Sequence, residues 1–411
     1  MAGEWRQCAL GDVVELKRGH DLPQQHRRPG AVPLVSSSGV TDHHAEAIAR
    51  GPGVVTGRYG TLGQVFYIEE DFWPLNTTLY VHDFKGNSPR FISYFLRGLD
   101  FLAYSDKAAV PGLNRNHLHQ AQVVIPVEVT EQRAIAHILG TLDDKIELNQ
   151  RMSQTLDSMA VAMFQSWFVD FEPVRARAGG LASKLPRHLT DLFPTKLLES
   201  DVGEVPAGWT LTTLYETAEY INGAAYSAFE PNAEGLGLPI VKIAELKAGI
   251  TSQTRFSQVR MPAKYRIKRG DILFSWSGNP DTSIGTFVWT GDEAWLNQHV
   301  FRVVPRSDHE RSFILLLLRF LRPVLAEAAR NRQTTGLGHV TAGDMKRLPI
   351  VRPDDAVLRA WDAMVGPILD RSHLAARESL HVRALRDALL PKLISGELRV
   401  RDAEKLVGAA T

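Results

Sequence analysis

Cysteine is almost missing from this chain: Cys8 is the one example in 411 residues. Its isolation excludes an internal disulfide framework and any zinc site built on cysteine pairs. Cys8 reads as a small apolar or partly exposed residue. Long apolar runs are missing too. The strongest, 313–318, stops at Arg319 and falls far short of the roughly 20 residues a membrane span needs. The segment Met1-Ala2-Gly3-Glu4-Trp5-Arg6 has no apolar signal core. The expectation is a cytoplasmic protein with no membrane contact. An excess of one charge is also missing, since 47 basic residues face 46 acidic ones for a net charge of +1. That argues against a simple polybasic nucleic-acid binder. Local basic faces remain open to it, at Lys17-Arg18, His20, His26 and Arg27-Arg28, and at Arg319, Arg322, Arg330 and Arg332.

Catalytic motifs are absent as well. No glycine run ends in Gly-Lys-Ser or Gly-Lys-Thr, so there is no P-loop. The glycines of 57–63 match a dinucleotide fingerprint only loosely and read as a tight turn between strands. Asn279-Pro280-Asp281 lacks the proline and aromatic that complete an amino-methyltransferase motif, and reads as a turn. Glu245-Leu246-Lys247 fits the tail of a nuclease signature without a well-placed upstream acid, and reads as a surface charge pair. His43-His44 and His117/His119 have no partner at metal-ligand spacing and read as solvated loop histidines. No metal site and no Ser-His-Asp arrangement is expected.

What the chain does have is repetition. Trp5, Leu10, Glu15 and Gly19 return as Trp209, Leu214, Glu219 and Gly223 at identical spacing. Pro33-Leu34-Val35 answers Pro239-Ile240-Val241, and Leu75-Asn76 answers Leu296-Asn297. Phe91-Ile92 answers Phe313-Ile314, Gly112-Leu113 answers Gly336-Leu337, and Ile125-Pro126 answers Leu348-Pro349. The period, about 200 residues, is far longer than a solenoid unit and matches a domain plus a helix. Two similar heads suit a two-part target, and DNA offers half-sites about a helical turn apart.

The expected fold is α+β, with two similar globular heads at 1–128 and 207–352. Short β-like runs lie at 32–35, 53–56 and 64–68, and at 271–275 and 286–289. Helical stretches follow at 89–106 and 309–332, and each head closes with a strand ending at Pro126 or Pro349. Long helices are expected over 129–172 and 353–398, a proline- and glycine-rich linker over 173–206, and a tail over 399–411. The linker should be partly ordered by Leu192-Phe193. In the first helix Ile135, Leu142, Asn149, Leu156 and Met163 recur at sevens, with Ile138, Met152 and Met159 in a neighbouring column interrupted by Lys145. Asn149 in that seam would fix register. In the second helix Trp361, Ile368, Ala375, Val382 and Leu389 recur at sevens, and Gly366-Pro367 should kink or interrupt the helix. Two heptad-bearing helices suggest an antiparallel pair within the chain, an internal pseudo-two-fold duplication. The alternative is that each packs on its own head.

These residues resemble the specificity subunit of type I restriction-modification enzymes. The resemblance is carried by Glu131-Gln132-Arg133, Ile135, Leu139, Leu142-Asp143, Lys145-Ile146 and Leu148-Asn149, through Phe164 and Trp167-Phe168-Val169-Asp170-Phe171-Glu172-Pro173. Leu192-Phe193-Pro194, Gly203-Glu204-Val205-Pro206 and Gly208-Trp209 continue it, and Leu389-Leu390-Pro391-Lys392-Leu393 with Ser395-Gly396-Glu397-Leu398 ends it. The resemblance implies two target-recognition domains, each reading half of a split sequence in double-stranded DNA. It implies that the paired helices act as a ruler, a coiled-coil-like spacer that docks two methyltransferase subunits, with restriction-translocase subunits joining them. S-adenosylmethionine, ATP and Mg would then sit on the partners, and this chain would bind no cofactor and catalyse nothing. The alternatives are a protein-binding scaffold without a DNA role and a stand-alone DNA-modifying enzyme.

Base edges are read by Arg or Lys on guanine and by Asn or Gln on adenine, while cations on phosphates supply salt-dependent affinity. The candidates in head one are Arg58, Tyr59, Asn114, Arg115 and Asn116, with Lys17, Arg27 and Arg28 for phosphates. In head two they are Lys242, Trp276, Asn279, Arg330, Arg332, Gln333 and His339. The proposed helix seam and docking set is Ile135, Leu142, Asn149, Met152, Leu156, Met159, Trp361, Ile368, Val382 and Leu389.

Overall fold

The computed structural model describes residues 4–59, 61–104, 112–180, 182, 184–332 and 336–408. The chain divides into two compact units, one made of 1–148 with 378–411 and the other of 149–377. Each contains one head together with parts of both long helices.

In the first unit a four-stranded antiparallel sheet runs in the order Glu15–Arg18, Thr78–Asp83, Gly53–Gly57, Val65–Ile68. A three-stranded sheet places Val32–Ser36 between Gly39–His44 and Trp73–Pro74, the last pair parallel. Trp5–Ala9 pairs with Gln122–Pro126, so the head's first and last strands meet. The strands Gly53–Gly57 and Val32–Ser36 are near-continuous β-branched or apolar runs with buried interiors, as a strand covered on both faces requires. Helix Pro89–Arg97 starts on a Ser88 cap, has proline in its first turn and buries Phe91, Ile92, Phe95 and Leu96. The helical stretch expected over 89–106 therefore stops early, at Gly98. Residues 105 and 106 of that expectation lie outside the described residues.

The second unit repeats this plan. Its sheet runs Ala218–Asn222, Val300–Pro305, Ile272–Ser275, Gly285–Val288. Leu238–Val241 pairs in parallel with Ala294–Leu296, and Thr210–Thr213 pairs with Pro349–Arg352. The equivalent glycines Gly19 and Gly223 are explained by this shared geometry. A Cβ on either would collide with the backbone carbonyl of Leu75 or of Asn297. The helical stretch expected over 309–332 splits into Arg311–Phe320 and Arg322–Arg330, with Pro323 opening the second piece.

Hydrogen bonding shifts the alignment of the later repeats. Leu75 N–H bonds the Val35 carbonyl and Asn297 N–H bonds the Val241 carbonyl, so Leu75 matches Asn297 rather than Leu296. Leu113 N–H bonds Arg58 O, and Val340 N–H bonds Trp276 O, so Gly112-Leu113 matches His339-Val340 rather than Gly336-Leu337. Trp5 lies opposite Pro126 and Thr210 opposite Arg352, which makes Pro353 the partner of Pro126; Pro349 opens its strand instead of closing it.

The first long helix is Val129–Phe168 and the second is Asp355–Ile394, each 40 residues. Within the first unit, Asp143 pairs with Arg386 at 2.6 Å, Lys145 with Glu378 at 3.0 Å, and Glu131 with Arg399 at 3.7 Å. Within the second, Ser153 bonds Ser372 at 2.9 Å, and Trp361 packs on Phe164, Trp167 and Phe168 with centroids 6.1, 5.3 and 4.8 Å away. Partner numbers fall on one helix as they rise on the other, so the helices run antiparallel in both units.

Ile135, Leu142, Asn149, Trp361, Val382 and Leu389 are buried, while Met152, Leu156 and Ile368 are half-buried. Met159 is 48% exposed, which removes it from the seam. The neighbouring column is Leu139, Ile146, Ser153 and Ala160, one residue on from the expected one. A four-residue step follows Ile135 where three was expected, because 3.6 residues per turn fits either. In the second helix the seam passes through Val365 and Leu369, both fully buried, on either side of Gly366-Pro367. The helix stays continuous through Pro367 and Pro391. The cost of a lost N–H is outweighed by burial of Trp361, Val365 and Leu369.

The linker region carries helices Glu172–Ala178 and Arg187–Thr190 and the hairpin Leu197–Ser200 with Gly203–Pro206. Phe193 anchors it, buried against Trp167 with ring centroids 5.0 Å apart. The expected tail is a helix, Val400–Gly408, whose Ala403 and Val407 enter the first unit's core. No helix among the described residues is long and apolar enough to cross a membrane.

Candidate nucleic-acid interface

In head one, strand Gly53–Gly57 delivers Arg58 and Tyr59 beside the turn that begins at Gly112. Tyr59 bridges Gly112, and Leu113 N–H bonds Arg58 O at 2.9 Å. Asn114 caps the short helix Arg115–His119, its side chain accepting from Asn116 N–H at 3.0 Å. Two sequence-distant candidate sets, Arg58-Tyr59 and Asn114-Arg115-Asn116, thus line one cleft of about 380 Å³ together with Arg18. Arg18, which the sequence places in a basic face with Lys17 but not among the contact candidates, joins them here. No carboxylate among the described residues pairs with Arg18, Arg58 or Arg115. The Arg58 guanidinium lies over the Tyr59 ring at 4.5 Å and donates to its hydroxyl at 3.2 Å. Its plane is held while its remaining N–H groups stay available.

The other head-one candidates lie elsewhere. Arg27 pairs with Asp42 at 3.1 Å, Arg28 with Glu46, and Lys17 stands 3.9 Å from Glu15. The Arg27 guanidinium and the His43 backbone hold the Asp42 carboxyl below its ordinary range, the backbone bond most strongly. His44 is buried and accepts from Arg28 N–H at 2.9 Å, and His119 accepts from Leu16 N–H at 2.9 Å. Neither is a solvated loop histidine: each satisfies a backbone donor that strand pairing leaves open. Burial, followed by Arg115 and Lys85, keeps His119 below the ordinary histidine range.

Head two places Trp276 where head one has Arg58. Its Nε1–H donates to Asn222 at 3.1 Å, and Asn222 occupies the place of Arg18. His299 and His339 both pack against the indole, each with ring centroids 5.8 Å away. Burial and the neighbouring His339 hold His299 below the ordinary range. Where head one has Asn114-Arg115-Asn116, the equivalents are Thr341-Ala342-Gly343. Arg330 is paired with Asp281 at 2.8 Å and with Glu327, and Arg332 with Asp344 at 3.0 Å. Asn279 accepts from the N–H groups of Asp281 and Thr282, closing the expected turn. Lys242 lies 5.0 Å from the Tyr226 ring, and Gln333 lies outside the described residues. Glu245 is buried and accepts from Lys242 N–H at 3.0 Å and from the Thr254 hydroxyl at 3.3 Å. It caps its helix and is no surface charge pair.

Duplicated heads with paired helices define a class, and comparison with known proteins identifies it. The family model for the type I restriction modification DNA specificity domain matches residues 2–158 and 206–356, and the chain belongs to that family. It is similar to the type I restriction enzyme HindI specificity subunit of Haemophilus influenzae, 26% identical over 339 residues, covering 72% of this chain and 73% of the relative. The MjaIX specificity subunit of Methanocaldococcus jannaschii is 25% identical over 306 residues, covering 72% of this chain and 65% of the relative. Among solved structures, the type I restriction-modification S subunit from M. genitalium superimposes with a TM-score of 0.66 at 14% identity, covering 95% of this chain and 96% of that one. That likeness speaks to the fold, which is α+β with two repeats and long helices.

Proposed function

We propose that this chain reads a bipartite DNA sequence, one half with each head, and that it serves as the recognition subunit on which two methyltransferase subunits assemble. Restriction-translocase subunits join that core. S-adenosylmethionine, ATP and Mg belong to those partners, and the chemistry is theirs; this chain supplies recognition and spacing. The observation that supports the reading best is the head-one cleft, where Arg18, Arg58 and Arg115 have no carboxylate partner among the described residues and stand beside two asparagines. Such a set suits phosphates and base edges together. Head two presents a different side-chain set on the same strands, as reading a different half-site requires.

The exposed faces of the antiparallel helices, including Leu148 and Met159, are the proposed docking ground for the methyltransferases. Footprinting of the assembled recognition and methyltransferase complex on its methylated sequence tests this reading. Two short protected blocks with an unread gap are expected. One continuous block, or no sequence-dependent protection, would contradict it.

A further inference from the structure

One backbone position is held by equivalent hydrogen bonds in the two heads and carries a different side chain in each. Arg58 N–H bonds Thr77 O at 2.8 Å and Arg58 O accepts from Leu113 N–H. In head two Trp276 N–H bonds His299 O at 3.4 Å and Trp276 O accepts from Val340 N–H at 2.8 Å. The same backbone site, at the end of the same sheet strand, therefore carries a guanidinium plane in one head and an indole plane in the other. Both planes are held by neighbours: Arg58 by the Tyr59 ring and hydroxyl, Trp276 by Asn222, His299 and His339.

We infer that Arg58 is the specificity-determining residue of head one, and that it reads a guanine through the paired O6 and N7 acceptors. This rests on the bipartite reading proposed above. Arg58 has no carboxylate partner among the described residues, and its bond to the Tyr59 hydroxyl leaves further guanidinium N–H groups for a base edge. Its plane is pre-positioned, so little rotamer freedom is lost on pairing. It also lines one cleft with Arg18 and Arg115, which have no carboxylate partner among the described residues and suit the phosphates that would fix the duplex in register. A bidentate fork matches the guanine edge in the major groove and no other base there. Trp276 has no such fork, so head two reads its half-site without an arginine–guanine pair at this position.

The experiment uses the complete complex with its methyltransferase and a duplex carrying the methylated sequence. Each guanine in turn is replaced by 7-deazaguanine, which lacks the N7 acceptor. One guanine, in one half-site only, should weaken binding roughly 5- to 150-fold, the range of a good bidentate pair. In Arg58→Ala that same replacement should have no further effect. Arg58→Lys keeps the charge and loses the planar fork, so it should reduce base discrimination while the salt dependence stays unchanged. Tyr59→Phe removes one restraint on the guanidinium and should reduce the discrimination in part.

Two results would overturn the inference. One is an Arg58→Ala complex that binds every duplex more weakly by one factor, with a salt slope reduced by about one contact, since that is the mark of a phosphate ligand. The other is equal sensitivity of wild type and Arg58→Ala to every 7-deazaguanine. A wild-type complex without any sequence preference would instead overturn the underlying DNA-reading proposal, and this inference with it.

Discussion

At the residue scale, the histidines show how little a residue type says without its neighbours. His373 sits on the second long helix with both ring nitrogens buried and without a hydrogen-bond partner among the described residues. Burial, reinforced by Arg319 and Arg311, lowers its pKa to about 4. The unfolded chain, with an ordinary value near 6.5, binds the extra proton first as pH falls. Its neutral form is therefore compatible with the fold above about pH 6.5, and stability is lost between 6.5 and 4. The loss approaches about 3 kcal/mol at the acid end, as an order of magnitude. His373→Leu should flatten that part of the stability curve. Thermal unfolding of both proteins from pH 7 to pH 4 checks this, and an identical pH dependence would refute it.

Arginine pairing was equally hidden. Arg27 finds Asp42 fifteen residues away and Arg319 finds Asp157 across 162 positions. Sequence alone gave no means of separating these committed cations from Arg18, Arg58 and Arg115, which have no carboxylate partner among the described residues.

At the element scale, both long helices were legible because a heptad column and an acidic first turn agree with one another in each, with Pro173 following the first. The neighbouring column was placed one residue early, since a three-residue and a four-residue step lie on nearly the same face. The repeats were legible through Val35/Val241 and again at Phe91/Phe313, but slipped by one residue at Leu75-Asn76 and by three at Gly112-Leu113. The offset between halves grows from 204 at Trp5/Trp209 to 222 at Thr77/His299 and 227 at Leu113/Val340, and loop insertions leave no mark that a single sequence can date.

Pro367 is the element whose behaviour packing decides. It is exposed, so its ring contributes little burial, yet it deletes a helix hydrogen bond. Pro367→Ala should stabilise the second helix, by up to about 3 kcal/mol. A lower melting temperature in the alanine variant would show that the proline is required. Trp361, fully buried among Phe164, Trp167 and Phe168, marks the opposite case. Trp361→Ala should cost about 3–5 kcal/mol, read from denaturant unfolding; a loss below about 1 kcal/mol would mean the aromatic cluster is not what holds the helices there.

At the scale of the whole molecule, the informative fact is that neither compact unit owns a whole helix. Each unit takes part of both, pinned by Asp143–Arg386 and Lys145–Glu378 in one and by Ser153–Ser372 with Trp361 in the other. In Asp143, burial raises the carboxyl pKa but the bonds from Arg386 and Tyr94 outweigh it, so the acid stays ionised within the pairing. If the helices set the gap between half-sites, removing one turn from both (about 5.4 Å) should shorten the spacer by about one or two base pairs and leave both half-sites unchanged. An altered half-site with an unaltered gap would count against that role.

The central claim is that one chain with two heads specifies one split DNA sequence. Modified-base sequencing of the host genome, with and without this gene, tests it most directly. The prediction is a single methylated motif of two unlike blocks around an unread gap, lost completely on deletion. A methylome that is the same with and without the gene would contradict it.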